Sequence, residues 1–385
     1  MSVTAAAGFR AAGVAAGLRS GGGPDVALVV NDGPRSSAAA VFTANRCVAH
    51  PVRWSRQALS DGIARAVVLN AGGANCYTGA PGFQLTHATA EAVAAELGIG
   101  AIDVQVCSTG LIGRLHDQTA MLDGGRQAAA SLGVDAADGT AAATAILTTD
   151  SVPKQAVVGG AGFAVGGMAK GAGMLAPALA TMLVVITTDA DVDTATCDRA
   201  LRAATRTTFD RLDSDGCMST NDQVLLLASG ASGSAPPYAD FAAAVHDVCH
   251  QLAQLLLADA EGAEHEIAVR VCGAASEDDA VEVGRAVARS NLFKAAVFGR
   301  DPNWGRVLAS VGTTSAAFDP LDLDVSLNGV RVCAASTPAE PPERVDLTGR
   351  AVEVVVDLKA GEESATVWTN DLTHAYVHEN SAYST

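Results

Sequence analysis

The sequence predicts an α/β fold with a smaller strand-rich C-terminal part. Short apolar runs rich in β-branched residues, such as 182–186, have the composition of buried strands. Segments with apolar side chains three or four residues apart lie between them, as in the helix predicted to begin after Asp240. From Leu323 onward strands dominate. A chain of 385 residues with 49% hydrophobic residues can build sheets layered between helices around a large core.

The elements follow from periodicity and from residues that begin or end structure. Strands are predicted at 25–30, 38–43, 66–69, 103–107, 182–186, 223–228, 266–272, 324–327, 352–358 and 365–368. Helices are predicted at 86–97, 118–132, 136–146, 191–209, after Asp240, and from a capping box at Ser276 and Asp279 to Arg289. Glycines and a proline predict a loop across 166–180, and 301–306 is predicted as a rigid turn whose Arg306 could anchor a carboxylate.

Composition excludes several classes of partner. The formal net charge of −17 argues against nucleic acid and anionic membranes, which both need a basic surface. Apolar runs fall short of the roughly 20 residues that a membrane helix requires, and the N-terminal segment lacks the features of a signal peptide. The eight cysteines contain no CxxC pair, which favours thiols in a reducing compartment. We therefore expect a cytoplasmic protein.

Thr181 is the first polar side chain at the start of a predicted core strand, immediately after a glycine-rich loop. A strand fixes a nucleophile there while a loop gives access to substrate. A phosphate-binding P-loop is excluded, because Lys170 precedes the glycines instead of following them. From the residues alone, an ordinary strand start remains the alternative for Thr181.

Other polar segments lie beside predicted strands and helices. A strand runs into Ser108-Thr109-Gly110, which presents a hydroxyl and backbone N–H groups suited to an oxyanion. Glu261 lies at the predicted end of a helix, where the helix dipole disfavours an anion, and this suggests a functional reason for it. His246 and His250 are four residues apart, but without a His-Glu-x-x-His frame they are weak evidence for a metal site.

The segment Lys170-Gly171-Ala172-Gly173-Met174-Leu175-Ala176-Pro177, followed by Ala180-Thr181-Met182-Leu183, resembles the processing site of the ornithine acetyltransferases, also called glutamate N-acetyltransferases. The resemblance implies layered sheets and helices of the N-terminal-nucleophile-like type. It also implies self-cleavage between Ala180 and Thr181, giving an α segment, 1–180, and a β segment, 181–385, which carries the strand-rich C-terminal part. These segments would associate, as a heterotetramer with two of each.

The same resemblance assigns site residues. Thr109 and Gly110 would form the oxyanion hole, and Thr181 would be the catalytic nucleophile. The implied substrate-binding residues are Thr148, Lys170, Thr181, Glu261, Asn380 and Thr385, with Thr149 as the alternative to Thr148. No cofactor and no metal are implied.

The implied function is transfer of an acetyl group from N-acetylornithine to glutamate in arginine biosynthesis, through an acetyl-Thr intermediate in a ping-pong cycle. Whether acetyl-CoA is also a donor stays open. An N-terminal-nucleophile amidase or aminopeptidase, with water as acceptor, is the alternative. A non-catalytic metal or ligand-binding protein centred on His246 and His250 is the third possibility.

Overall fold

The computed structural model describes residues 2–174 and 182–382. Within them the chain forms two compact units. The N-terminal unit comprises the residues up to Asp210 together with Cys217–Asp259, and the C-terminal unit comprises Arg211–Gly216 and the chain from Ala260 onward. This division concerns packing and is distinct from the two segments that cleavage at Thr181 would produce.

The N-terminal unit contains two sheets and six α-helices among its described residues. Its strands are β1 (Phe9–Val14), β2 (Val26–Asn31), β3 (Ser37–Phe42), β4 (Ala66–Asn70), β5 (Val104–Ser108), β6 (Lys154–Gly160), β7 (Phe163–Lys170), β8 (Leu183–Thr188) and β9 (Gln223–Ala228). Its helices are α1 (His50–Ala58), α2 (Gly79–Leu97), α3 (Gln118–Ala130), α4 (Ala136–Ala145), α5 (Thr194–Thr207) and α6 (Tyr238–Ala258).

These elements stack in four layers. One sheet has the strand order β1-β2-β4-β5, and the other has the order β3-β9-β8-β7-β6. The inner faces of the two sheets share one core, to which Val29 and Leu69 of the first and Val185 and Leu225 of the second contribute. Helices α1–α3 cover the outer face of the first sheet, and α5 and α6 cover that of the second. The predicted layering of sheets and helices is confirmed.

The C-terminal unit is built on one six-stranded sheet of order β13-β12-β11-β14-β10-β15. Its elements are β10 (Glu266–Ala274), α7 (Glu277–Ala288), α8 (Asn291–Phe298), α9 (Trp304–Val311), β11 (Asp324–Leu327), β12 (Val330–Ala334), β13 (Thr337–Pro338), β14 (Ala351–Asp357), β15 (Glu363–Asn370) and α10 (His374–Ala382). Apolar side chains of α7, α8 and α9 pack on this sheet in a core of their own. The strand-rich C-terminal part is therefore as predicted.

The glycine-rich stretch at 166–170 is a strand, so its prediction as loop was wrong. At Gly166 a Cβ atom would lie 2.3 Å from the backbone oxygen of Ser2. At Gly167 a Cβ atom would lie 3.0 Å from the side chains of Val248 and Leu252 on α6. The glycines are there because neighbouring layers approach the strand closely, which is a tertiary reason that sequence punctuation does not show.

Helix starts also differ from the predictions in places. The helix expected after Asp240 begins at Tyr238, so Asp240 lies in its first turn and Pro237 occupies the N-cap position. The predicted turn at 301–306 passes into α9, and Arg306 donates to the backbone oxygen of Leu292 at 2.5 Å. At Ser276 the predicted cap is present, because its side chain accepts from the amide of Asp279.

All eight cysteines are free thiols. Within residues 2–174 and 182–382, each helix is too short or too polar to cross a bilayer.

Candidate active site

Thr109 and Lys170 meet at the ends of two strands of the N-terminal unit. Thr109 follows the last residue of β5, and Lys170 is the last residue of β7. The Lys170 ammonium donates to the Thr109 hydroxyl oxygen at 3.2 Å. Both side chains are almost fully buried. Because the hydroxyl accepts from a cation, its own proton is free to be donated elsewhere.

The backbone around Thr109 is held by two amide side chains. Its N–H donates to the backbone oxygen of Asn70 at 2.9 Å, and the Ser108 hydroxyl donates to the Asn70 side chain at 2.6 Å. The Asn221 amide donates to the backbone oxygens of Ala74, at 2.6 Å, and Ser108, at 2.8 Å. The N–H of Thr109 is thus engaged, and its hydroxyl is the donor that this residue can offer to a substrate.

Gly110 occupies a backbone conformation that only glycine adopts readily. Its φ is +123°, and a Cβ atom there would lie 2.6 Å from backbone atoms of Gly72 and Gly73. Within the described part of the chain its N–H has no hydrogen-bond acceptor. The turn therefore presents two donors, the Thr109 hydroxyl and the Gly110 N–H, as an oxyanion hole requires.

Asp150 connects Lys170 to its surroundings. Its carboxylate accepts from the N–H of Gly171 at 2.6 Å and from the N–H of Thr148 at 3.0 Å. The Lys154 ammonium lies 2.7 Å from one of its oxygens, and the Lys170 ammonium lies 3.9 Å from the other. Burial by itself raises the pKa of the Asp150 carboxyl, but Lys170 and Lys154 outweigh it and lower that pKa to about 2. Asp150 is therefore a buried anion.

Asp222 lies beside Met182, the residue that precedes β8. One of its carboxyl oxygens accepts from the N–H of Met182 at 2.8 Å, and the other has no hydrogen-bond partner among the described residues. Burial raises the pKa of this carboxyl well above its usual value, although Lys170 opposes the shift. This carboxyl lies next to the residue that follows Thr181 in the sequence.

The predicted cleavage site, Ala180 and Thr181, lies outside the described residues. The two ends of the segment that contains it are fixed, because β7 and β8 are antiparallel neighbours with Lys170 opposite Leu183. The chain thus leaves the sheet at Lys170 and returns at Leu183, beside Asp222. Both Lys170 and Asp222 belong to the same corner of the N-terminal unit as the Thr109 turn.

Thr148 and Thr149, the two alternatives for a substrate contact, are both half-buried. The Thr148 N–H donates to the Asp150 carboxylate at 3.0 Å, and the Thr148 hydroxyl donates to the same oxygen at 3.5 Å. Thr148 thus contacts the carboxylate that lies 3.9 Å from the Lys170 ammonium, and its role in substrate binding is a proposal.

Glu261 and Asn380 lie in the C-terminal unit and contact each other. The Asn380 side chain donates to the Glu261 carboxylate at 3.0 Å and also to the backbone oxygen of Tyr376. Gly262, with φ +61°, lets α10 approach, since a Cβ atom there would lie 2.2 Å from the N atom of Tyr376. The third residue predicted in this part of the site, Thr385, lies outside the described residues.

The helix-dipole reason given for Glu261 was wrong. Helix α6 ends at Ala258, so the carboxylate at its C-cap is Asp259 and Glu261 lies beyond the helix. Asp259 is compensated by the Lys154 ammonium at 2.5 Å. The carboxylate that the dipole of α6 disfavours is therefore that of Asp259, and its ion pair with Lys154 compensates it. A role for Glu261 rests on its charge and on its contact with Asn380.

His246 and His250 stack on α6 with ring centroids 6.2 Å apart. Within residues 2–174 and 182–382 there is no cluster of three or more histidine, cysteine or acidic side chains that could hold a metal ion.

Sequence reasoning gave no role to two residues that the structure places around Lys170 and Thr109, namely Asp150 and Lys154. The small number of lysines in the sequence could have pointed to these contacts. The chain has only four of them among 25 lysines and arginines, and three of the four, Lys154, Lys170 and Lys294, are buried. Since lysine is almost never fully buried unless it is paired, this imbalance could have indicated ion pairs in the interior.

The family and sequence comparisons match nearly the whole chain, and the solved structures match about half of it. The family model described as the ArgJ family matches residues 10–385. The "arginine biosynthesis bifunctional protein ArgJ" of Streptomyces avermitilis is 62% identical over 384 residues, covering 100% of both chains. The solved structure of the protein of the same name from Bacillus halodurans is 33% identical, covers 52% of this chain and 98% of its own, and has a TM-score of 0.50. A solved ornithine acetyltransferase from Mycobacterium tuberculosis, complexed with ornithine, is 51% identical, covers 46% of this chain and 94% of its own, and has a TM-score of 0.43.

Proposed function

We propose that this chain, which belongs to the ArgJ family, moves the acetyl group of N-acetylornithine to glutamate. The transfer would pass through an acetyl-Thr181 intermediate. The prediction from sequence that the protein is an acyltransferase of arginine biosynthesis is confirmed. The observation that carries the finer proposal is the meeting of Thr109, Gly110 and Lys170 where β7 leads into the segment that ends at Thr181.

Self-cleavage between Ala180 and Thr181 would create the catalytic group. The free α-amine of Thr181 would have a pKa of about 7.7–8.0, so it can take the proton of its own hydroxyl near neutral pH. A threonine activated by its N-terminal amine is an established form of nucleophile. The Thr181 oxygen would then attack the acetyl carbon of N-acetylornithine.

Thr109 and Gly110 would stabilise the oxyanion that forms. The Thr109 hydroxyl already accepts from the Lys170 ammonium, which polarises it and leaves its proton for the developing negative charge. The Gly110 N–H supplies the second hydrogen bond. When the tetrahedral intermediate collapses, the ornithine amine leaves with the proton and the acetyl group stays on Thr181. Glutamate then attacks this ester with its α-amine, and the same two donors serve again.

The charges of the substrates match the charges of the assigned residues. N-acetylornithine and glutamate both carry an α-carboxylate, which we assign to Lys170, with Thr148 beside it. Ornithine also carries a side-chain ammonium, which we assign to Glu261, with Asn380 orienting the Glu261 carboxylate at 3.0 Å. Thr385 is retained as a substrate-binding residue from the resemblance alone. No metal or cofactor takes part in this chemistry, and acetyl-CoA as a second donor stays open.

Cleavage into segments 1–180 and 181–385 is supported by the solved Bacillus halodurans chain. The alignment includes 98% of that chain but only 52% of this one. A polypeptide of about half the length is what one cleavage product would have. We propose that the two segments remain associated, two of each per molecule, in the cytoplasm.

The test combines intact mass with activity. Purified wild-type protein should contain two polypeptides that co-elute under native conditions. With N-acetylornithine alone it should release at most one equivalent of ornithine per Thr181, and it should release ornithine continuously only when glutamate is added. Thr181→Ala should remain one polypeptide without this activity, whereas Thr348→Ala, at an exposed threonine, should behave as wild type. Uncut wild-type protein with full activity would remove Thr181 as the nucleophile. Continued release of ornithine beyond one equivalent without glutamate would identify the amidase alternative.

A further inference from the structure

A buried histidine lies beside the Thr109 turn and has no part in the mechanism proposed above. His116 is 7% exposed and belongs to the segment between β5 and α3. Its Nε2 atom lies 2.9 Å from the Asn70 amide nitrogen and 3.3 Å from the backbone oxygen of Gly73. Asn70 is the last residue of β4. The imidazole therefore connects the segment after β5 to the end of β4.

The other contacts of Asn70 give its hydrogen bond with His116 a direction. The Asn70 amide nitrogen also lies 3.5 Å from the backbone oxygen of Ala71, and the Asn70 side-chain oxygen accepts from the Ser108 hydroxyl at 2.6 Å. The atom that faces the ring is thus a donor. Burial lowers the pKa of the His116 imidazole, although the backbone oxygen of Gly73 opposes the shift. Since a neutral imidazole keeps one nitrogen as an acceptor, Nε2 accepts from the Asn70 amide.

Asn70 carries this contact into the oxyanion turn. Its side-chain oxygen binds the Ser108 hydroxyl, and its backbone oxygen accepts from the Thr109 N–H at 2.9 Å. These bonds hold the two residues that precede Gly110. Without the imidazole acceptor, a buried N–H of the Asn70 amide would lose its closer partner, which costs free energy. Rotation of the amide toward another acceptor would break the bond with Ser108.

The ring also supports Gly110 by packing. A Cβ atom at Gly73 would lie 2.8 Å from the His116 Nε2 atom, so the ring packs directly on the Gly73 backbone. Backbone atoms of Gly72 and Gly73 in turn lie 2.6 Å from the Cβ position of Gly110. The ring, this short piece of backbone and Gly110 are therefore in successive contact. A change in the ring can reach the Gly110 N–H by this second route.

We propose that His116 is a positioning residue for the oxyanion hole, because it fixes the Asn70 amide and, through it, the turn that carries the Thr109 hydroxyl and the Gly110 N–H. The proposal rests on the proposed function in taking these two groups as the oxyanion donors. Such donors stabilise a developing charge only when they are held in place before the reaction. Since the same two donors serve both half-reactions, His116 should affect both alike.

The experiment measures single-turnover acylation by N-acetylornithine and deacylation by glutamate in cleaved protein. His116→Phe keeps a ring for packing and removes the acceptor. It should slow both half-reactions by the same factor, up to about 10²-fold, the effect of a small misplacement of reacting groups. The substrate concentrations at half-maximal rate should stay unchanged. His116→Gln offers an amide oxygen to the Asn70 amide and should recover most of the rate.

Two further variants show the route of the effect. Asn70→Ala should slow both half-reactions, and the double variant with His116→Phe should be no slower than the slower single variant, because both act through one side chain. Thr89→Val is the matched control. Thr89 lines the same small cavity as His116, and its hydroxyl donates to the backbone oxygen of Leu85 at 2.8 Å. This variant should lower thermal stability without slowing either half-reaction.

Amide hydrogen exchange reports the positioning without catalysis. The Thr109 N–H is bound to the Asn70 backbone oxygen. A peptide covering 104–110 should therefore exchange faster in His116→Phe than in the wild type, and at the wild-type rate in His116→Gln and Thr89→Val. This measurement separates two failures. A wild-type protein that transfers no acetyl group refutes the proposed function, and the exchange rates still test the hold of His116 on the turn.

Several results would overturn the proposal. Unchanged rates in His116→Phe, a loss in only one half-reaction, or additive losses in the double variant would each do so. Equal losses in His116→Phe and His116→Gln would also overturn it, since the acceptor would then have no role. Should His116→Phe fold without cleavage, its exchange rate decides. Should it not fold, Asn70→Ala decides, because the proposal requires equal slowing of its two half-reactions.

Discussion

At the scale of single residues, the structure divides the oxyanion-hole donors between two groups. The Thr109 N–H is engaged by the Asn70 backbone oxygen, so its hydroxyl, polarised by Lys170, is what Thr109 can offer. Gly110 offers its N–H from a conformation that excludes a Cβ atom. The sequence placed a hydroxyl and backbone amides in this turn but did not separate their contributions.

Replacement of Thr109 tests this division. Thr109→Ala should lower kcat by roughly 10²–10³, the usual effect of removing one oxyanion donor, whereas Thr109→Ser keeps the hydroxyl and should lose far less. Steady-state kinetics on cleaved protein would measure both. Since the hydroxyl could also serve in cleavage, the intact mass of each variant is the control. Equal kcat values for wild type and Thr109→Ala would move the oxyanion hole elsewhere.

Replacement of Glu261 is expected to affect the two half-reactions unequally. Glu261→Gln should weaken binding of N-acetylornithine by about 2–5 kcal/mol, because the ornithine ammonium is left without its anion. Transfer of the acetyl group to glutamate should change much less, since glutamate has no ammonium at that end. Single-turnover measurements of each half-reaction would show the difference, with Glu264→Gln, at an exposed neighbour, as the matched control. Equal losses in both half-reactions would refute the assignment to the ammonium.

At the scale of elements, the surrounding layers decide features that local sequence does not. The segment 211–216 precedes β9 in sequence but belongs to the C-terminal unit, where the Asp213 N–H donates to the Trp368 backbone oxygen of β15 at 2.8 Å. This places the Asp213 carboxyl in the interior. Burial raises its pKa to about 6, and Arg289 opposes the shift incompletely because its side chain is half exposed.

This shift gives a stability that depends on pH. Between about pH 3.9, the ordinary carboxyl value, and about 6, the folded C-terminal unit holds a proton that the unfolded chain has released. Stability should therefore fall by on the order of 2 kcal/mol as pH rises through this window, and level off above it. Thermal unfolding from pH 4 to 7 would measure this. Asp213→Asn should flatten the slope, and Glu362→Gln, at an exposed position, should not. Parallel slopes in all three proteins would contradict the prediction.

At the scale of the whole molecule, the proposed cleavage cuts a chain whose strands are interleaved. In the five-stranded sheet, β3, β6 and β7 precede Thr181, and β8 and β9 follow it. The pairs β3–β9 and β7–β8 therefore join the two segments by backbone hydrogen bonds. The two sheets also share a core to which residues on both sides of Thr181 contribute. This is the physical reason to expect co-elution of the segments after cleavage.

The sequence by itself determined the fold class, most buried strands and the family. Local patterns suffice there, because the period of apolar residues and the turn-forming residues are set by neighbours along the chain. Strand 223–228 and strand 324–327 have the predicted bounds. The motif around Lys170 and Thr181 is also contiguous, so no folding was needed to read it.

The tertiary structure alone decided which polar groups meet. Asp150, Lys154 and Lys170 come together because β6 and β7 are antiparallel neighbours, and Asp259 joins them from the end of α6. Gly166 and Gly167 lie in a strand because other layers pack against them. Asp222 contacts the N–H of Met182 across 40 residues of sequence. Such contacts depend on strand order and layer packing, which periodicity in one sequence does not encode, and they set the charge and hydrogen bonding of the site.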